Sequence, residues 1–352
     1  MNTPIIVDPN DPKWLLLEQI MNMTKSRQFK QAMARQGILP LEKAGSILRI
    51  LFISMYFSQD ITFVLKELGK RDELRNFAHV TTLPSASIIY QFIGKFDEKQ
   101  FVLMISDILN SLCKQPTRRK KRKIIVDGSA IPLDLNMFRK KFRKIDLLTK
   151  DYRWGFSNTK GYYLGFKLTL ILEYPTLLPL CVLLHTGSPH DSSLFEEILN
   201  ELKRRRIIRN GDMIIFDKGY FSSLNYQLGI LNYKIIPLIF PRNNFNTDKV
   251  FSRMCYPLSV YSRHDGPKVK EEYEDLVATL KRELPCWTNY LDIRSSIEDF
   301  FKFVKNALSL RQLHRYSRRS VLKFASINVL LAGMIILNGF NSKTQLQTLA
   351  EW

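Results

Sequence analysis

The chain has 352 residues, 45% of them hydrophobic, enough for one well-buried core and a smaller appended unit. Its 53 Lys and Arg against 33 Asp and Glu leave a net charge of +20, which favours polyanions through counterion release and makes nucleic acid the leading partner. Four cysteines, Cys113, Cys181, Cys255 and Cys286, stand far apart with no CxxC and no His at zinc spacing, so neither a disulfide framework nor a zinc site is indicated and a reduced, intracellular compartment is expected.

Apolar spacing in the first part of the chain predicts helices near Trp14 to Ala34, Leu41 to Phe57, Ile61 to Leu68, Ser85 to Phe96 and Lys99 to Leu112. Pro84-Ser85 opens the fourth with a proline and a capping hydroxyl. Short helices joined by tight turns suit a helix-turn-helix DNA-binding module, and a plain helical support suits them equally well. Residues 1–116 hold 14 basic and 11 acidic side chains, a surplus of only 3, so the other 17 positive charges lie beyond them. Those charges recur in runs, Thr117 to Lys123, Arg139 to Lys144, Lys203 to Arg209 and Arg311 to Arg319. Six consecutive cations cannot enter a core, so 117–123 is read as a basic linker between a helical unit, 1–116, and a second domain, 124–345.

Beyond the linker the pattern turns to strands: Ile124 to Asp127, Tyr163 to Leu172, Leu180 to His185, Met213 to Asp217 and Ile235 to Phe240. An amphipathic helix, Ser192 to Arg206, separates the third from the fourth, with Asp191 read as its cap. Further helices are expected at Val269 to Leu284, ended by Pro285, at Arg294 to Leu308 and at Ser317 to Asn338. The order describes an α/β fold with a mixed sheet and flanking helices. No signal peptide is visible in the polar, proline-bearing Met1 to Lys13. The apolar Phe324 to Leu337 is shorter than a membrane span and carries Ser326 and Asn328, which predicts a core helix and no membrane association.

Two segments run through large apolar residues into aspartate and a small residue: Ile124-Ile125-Val126-Asp127-Gly128 and Met213-Ile214-Ile215-Phe216-Asp217-Lys218-Gly219-Tyr220. Buried strands that deliver a carboxylate at their ends are where α/β folds place sites. An aspartate that merely opens a turn before glycine gives the same pattern. On the helix near Arg294, the residues Arg294, Glu298, Lys302 and Lys305 fall within a sector of about 80°, beside the apolar Ile297, Phe300, Phe301, Val304 and Leu308. A surface lattice of ion pairs and a metal ligand among phosphate contacts fit that face equally. Three clustered carboxylates would repel one another without a cation, and a pair of hard cations on oxygen ligands is what phosphodiester cleavage requires.

These motifs resemble the DDE transposases of bacterial and archaeal insertion sequences. Asp127, then Asp217-x-Gly219-Tyr220, then Arg294-x3-Glu298-x6-Lys305 stand in the family's order, with the acids 90 and 81 residues apart. Tyr290 stands one residue further from Arg294 than the family's Tyr-x2-Arg spacing allows. The resemblance implies an RNase H-like catalytic fold and a metal-dependent enzyme that cleaves DNA and transfers strands. It implies Asp127, Asp217 and Glu298 as catalytic and metal-binding residues, with two Mg²⁺ or Mn²⁺ ions. Arg294, Lys305, Lys302, Tyr290 and Arg242 are implied DNA contacts. Terminal repeats and target DNA are the implied partners, in a homodimer or larger synaptic complex, in the cytoplasm with the nucleoid. A stretch common in the family after the third strand is matched by Gly187-Ser188-Pro189-His190-Asp191-Ser192. The competing readings are an RNase H-like nuclease without strand transfer and a non-catalytic DNA-binding protein derived from a transposase.

Overall fold

The computed structural model describes residues 4–113, 121–133, 152–157, 161–242, 247–252, 254, 267–313, 315 and 317–351. Residues 117–120 of the basic linker, the run Arg139 to Lys144 and Cys255 lie outside them.

Seven helices come first: α1 (Pro12–Lys25), α2 (Arg27–Arg35), α3 (Leu41–Tyr56), α4 (Ile61–Lys70), α5 (Asp72–Phe77), α6 (Ala86–Lys95) and α7 (Glu98–Leu112). Their boundaries follow from local capping. Ser26 ends α1 in an extended conformation and its hydroxyl accepts from Phe29 N–H, so the predicted helix from Trp14 to Ala34 is two helices. Ser85 caps α6 through Ile88 N–H, and Asp97 with Gln100 forms a capping box on α7.

The sheet follows: β1 (Lys123–Pro132), β2 (Arg153–Ser157), β3 (Gly161–Tyr174), β4 (Pro179–Thr186), β5 (Met213–Phe216) and β6 (Ile236–Ile239). Its order is β2-β3-β1-β5-β6, with β4 also paired to β3. The β1–β3, β2–β3 and β3–β4 pairings are antiparallel, whereas β1–β5 and β5–β6 are parallel. α8 (Asp191–Arg204) crosses from β4 to β5 and α9 (Ser223–Leu231) from β5 to β6. α10 (Thr247–Ser252), α11 (Pro267–Glu283), α12 (Leu291–Asn306), α13 (Arg318–Leu337) and α14 (Lys343–Glu351) complete the chain.

Successive strand residues face opposite sides, and here each side has its own core. Ile124, Val126 and Ile171 face α8, α9 and α11 with Leu194, Phe195, Ile198, Tyr226 and Leu280. Ile125, Leu168, Leu170 and Leu172 face α12 and α13, and that core continues without a break into α1–α7. The two parts are also tied by polar groups. Lys323 on α13 donates to the carbonyls of Ile93 (2.7 Å) and Phe96 at the end of α6, and Arg318 pairs with Glu98 at 2.9 Å. Burial is the first cause that draws the Lys323 ammonium down to about 8. α13 is the one described helix long and apolar enough to cross a membrane, and 89% of its apolar window is buried inside the protein. The expected core helix is therefore present.

Further features depart from the expectations. β1 does not stop at Asp127 but runs to Pro132, because β3 pairs along its whole length. β2, α5, α9, α10 and α14 were not expected. Asp191 is the first residue inside α8, with His190 at the cap position, and its carboxylate accepts from Lys167 rather than from the helix backbone.

Candidate active site

The parallel register of β1 and β5 pairs Val126 with Phe216, the last residue of β5, so the next residue on each strand is an aspartate. Asp127, midway along β1, and Asp217, just past the end of β5, thus stand side by side where the parallel pairing of the two strands ends. Ile124, Ile125, Val126 and the whole of β5 are buried, which fixes that height in the fold. Asp127 opens no turn. A Cβ at Gly128 would stand 2.6 Å from Lys167 Cε, so the end of that lysine would have to shift to admit a side chain. Asp217 begins the short 3₁₀ turn Lys218–Tyr220.

α12 brings the third acid. Its buried side is Ile297, Phe300, Phe301 and Val304, as the spacing predicted, which turns Arg294 and Glu298 toward the strand ends. Arg294 Nη2 lies 3.3 Å from Asp127 Oδ2 and 3.8 Å from Asp217 Oδ2, while Nη1 contacts Glu298 Oε1. One guanidinium therefore touches all three acids. The two aspartate oxygens share one nitrogen, so their separation cannot exceed the sum of its distances to them. Arg294 is only 20% exposed at its side chain, and its Nε is buried without a hydrogen-bond partner.

Electrostatics mark Asp127 out. Burial pushes its carboxyl up to about 7, against the pull of Arg294 and of the Gly128 N–H, which donates to Oδ1 at 2.8 Å; Asp217 and Asp191 push it further up. A buried carboxyl raised this far beside a charged partner marks a candidate functional site.

A fourth acid adjoins the three. Asp191 pairs with Lys167 of β3 at 2.5 Å and presses against the turn after Asp217, where a Cβ at Gly219 would stand 2.6 Å from Asp191 Oδ2. This explains the glycine of Asp-x-Gly-Tyr. Tyr220 is fully buried beside it, its phenol held far above the usual range by burial first and then by Asp191 and Asp127. Sequence reasoning named Tyr220 only as part of the Asp-x-Gly-Tyr motif and missed Lys167, whose one signal was a lone cation in a largely apolar strand.

The remaining candidates divide. Lys305 Nζ contacts Ser129 Oγ and donates to Ala130 O at 3.1 Å, on β1 just past Asp127. Arg242 Nε donates to Lys218 O at 3.4 Å, next to Asp217. Lys302 is 63% exposed and 3.6 Å from the buried Asp299. Tyr290 is not brought to the acids: its hydroxyl donates to Glu283 at 2.7 Å and Lys123 lies over its ring at 5.1 Å. Burial, then Glu283, pushes that phenol up to about 12. Two of the basic runs are partly structural, with Arg204 and Arg205 on Glu201 and with Arg318 and Arg319 on the ends of α6 and α7.

Among the described residues, no three His, Cys, Asp or Glu side chains stand close enough together to hold a metal ion. The donor set nevertheless fits hard cations in kind, as three carboxylates that already share a cation. The guanidinium occupies the place between them. A family model described as the transposase DDE domain matches residues 118–334, more than half of the sequence. The chain belongs to that family. The matched segment of this transposase starts in the basic linker, ends within α13 and contains Asp127, Asp217 and Glu298. A piggyBac transposase synaptic complex with hairpin DNA is a solved structure similar to it, at 11% identity and a TM-score of 0.42, over 97% of this chain and 80% of that one. No curated protein matches the chain.

Proposed function

We propose that this transposase cuts DNA at the ends of an insertion sequence and joins the freed 3′ ends to target DNA, with Asp127, Asp217 and Glu298 as the carboxylates that hold two Mg²⁺ or Mn²⁺ ions. The observation that carries the reading is the Arg294 guanidinium in contact with all three acids. Residues remote in sequence are gathered around one positive charge, where the parallel pairing of β1 with β5 ends. Bound there, two divalent ions supply a deprotonated attacking oxygen and neutralise charge on the leaving oxygen. The protein's own groups do the rest. Arg294 keeps the acids from repelling one another before substrate arrives, and its fork of donors then suits a phosphate. Lys305 and Arg242 stand beside the aspartates, and they and the exposed Lys302 would grip phosphates on either side of the cut.

The antiparallel-then-parallel strand arrangement supports an RNase H-like catalytic domain over 124–345. The core shared by α1–α7 and α13 favours residues 1–116 as a buttress of that domain over a separate helix-turn-helix reader. The surplus positive charge supports DNA as partner, with a homodimer or larger complex to hold two element ends. The test is incubation with Mg²⁺ and a plasmid carrying the DNA that flanks the gene. Product strands covalently joined to a second DNA are expected. Cleavage without joining would make this a nuclease, and binding without cleavage in either Mg²⁺ or Mn²⁺ would make it a non-catalytic DNA-binding protein.

A further inference from the structure

Each of the two aspartates is followed by a glycine, Gly128 directly and Gly219 two residues on, and one ion pair lies against both. Lys167 of β3 runs along Gly128: a Cβ there would meet its Cγ and Cδ at 3.6 Å and its Cε at 2.6 Å. Its ammonium then donates to Pro189 O at 3.2 Å and pairs with Asp191 at 2.5 Å. Asp191 in turn presses on Gly219, where a Cβ would meet its Cγ at 3.2 Å and its Oδ2 at 2.6 Å. A single pair thus reaches from the residue after Asp127 to the turn that begins at Asp217.

Register places this pair behind the aspartates. On β1, Asp127 has the parity of Ile125 and Ile131, which belong to the core under α12 and α13. Gly128 and Ala130 have the parity of Ile124 and Val126, which face α8. Lys167 is the ladder partner of Ala130 and so lies on the α8 side, where Asp191 opens that helix. Arg294 reaches Asp127 from α12, on the other face. β1 is therefore held from both sides at the height of the acids. The pair is no surface ion pair either, since the two side chains are only 10% and 27% exposed. Losing one partner there strands the other charge in a largely buried place.

The sheet leaves a task for such a pair. The parallel ladder of β1 and β5 ends at Val126 and Phe216, one residue short of both acids. From there β1 continues as strand, whereas the chain after Phe216 turns off through Lys218–Tyr220. We infer that Lys167 and Asp191 are positioning residues that set the spacing between the Asp127 and Asp217 carboxylates. On the reading of those acids as the cleavage site, on which this rests, the tolerance is narrow: a misplacement of about 1 Å can cost a hundredfold in rate. Glycine after each aspartate lets the lysine stem and the Asp191 carboxylate come close enough to act.

Mn²⁺ titration followed by electron paramagnetic resonance, together with the kinetics of plasmid nicking, compares wild type with Asp191→Asn, Lys167→Met and both changes together, below the melting temperature of every variant. Asp191→Asn is nearly isosteric and carries the test alone should Lys167→Met fold poorly. Each single variant is expected to keep both ions, to bind them about tenfold more weakly and to lower kcat by about a hundredfold. KM for DNA should stay within about twofold of wild type, a split that general loss of structure would not give. The double variant should lose no more than either single one, because both changes remove the same pair. Wild-type Mn²⁺ affinity and kcat in Asp191→Asn overturn the inference, as do losses that multiply in the double variant. An ion lost outright in Asp191→Asn but retained in Lys167→Met makes Asp191 a ligand and also overturns it. Variants that match a wild type able to bind two ions and cleave sink the positioning role alone. A wild type that binds no Mn²⁺ sinks the proposed function, and the positioning role with it.

Discussion

Replacing Asp127 with asparagine should make the protein more stable, and only above mildly acidic pH. The carboxyl stands near 7 in the fold against 3.8 for the free group, with the attraction of Arg294 already included. A displacement of that size disfavours the ionised form by about 4 kcal/mol at most. Because the folded value is the higher one, the protonated acid's contribution is fully present below pH 3.8 and is lost as pH rises through about 7. Asparagine mimics the protonated acid and does not titrate. Urea denaturation should therefore find Asp127→Asn more stable than wild type by about 2 to 4 kcal/mol at pH 8 and nearly equal to it near pH 4. Mg²⁺ at a hundred times its dissociation constant should then stabilise wild type by about 2.7 kcal/mol and the variant much less. A variant less stable than wild type at pH 8, or a difference that does not change with pH, would refute the strain ascribed to this carboxylate.

Asp217→Asn and Glu298→Gln should each abolish plasmid nicking while gel-shift affinity for DNA stays nearly unchanged, and normal nicking by either would count against the triad. At Mg²⁺ well below saturation, where protons compete with the metal, cleavage by wild type should rise with pH through about 7 as the raised Asp127 carboxyl ionises; a rate flat across that range under those conditions would speak against its role. Gly219→Ala would put a methyl about 2.6 Å from Asp191 Oδ2. It should lower stability by about 1 to 3 kcal/mol in urea melts and cleavage along with it. DNA affinity should fall steeply with salt, by about a thousandfold or more between 50 and 200 mM if six or more phosphates are held.

Local chemistry made much of this molecule legible in its sequence. The cap at Ser85, the apolar side of α12 and the buried runs ending at Val126 and Phe216 are short-range signals, and each lies where the residues put it. What was not legible depends on partners distant in sequence. Gly128-Ser129-Ala130 has the composition of a turn but is held as strand by β3. Asp191 has the composition and position of a cap, yet a lysine 24 residues earlier takes its carboxylate. That Asp127, Asp217 and Glu298 come together could be expected from the resemblance alone, which gave Arg294 to DNA and not to the acids. The helical periodicity of Arg294 and Glu298 fitted a surface ion pair equally well, and that pair is also present. The shared core of α7 and α13 had no local sign at all.

Binding of Mn²⁺, followed by electron paramagnetic resonance as the ion is titrated into wild type and into Asp217→Asn in the presence of DNA, tests the gathering of the three acids most directly. The account predicts two ions per chain for wild type and at least one fewer for the variant. Identical stoichiometry and affinity in both proteins would contradict it.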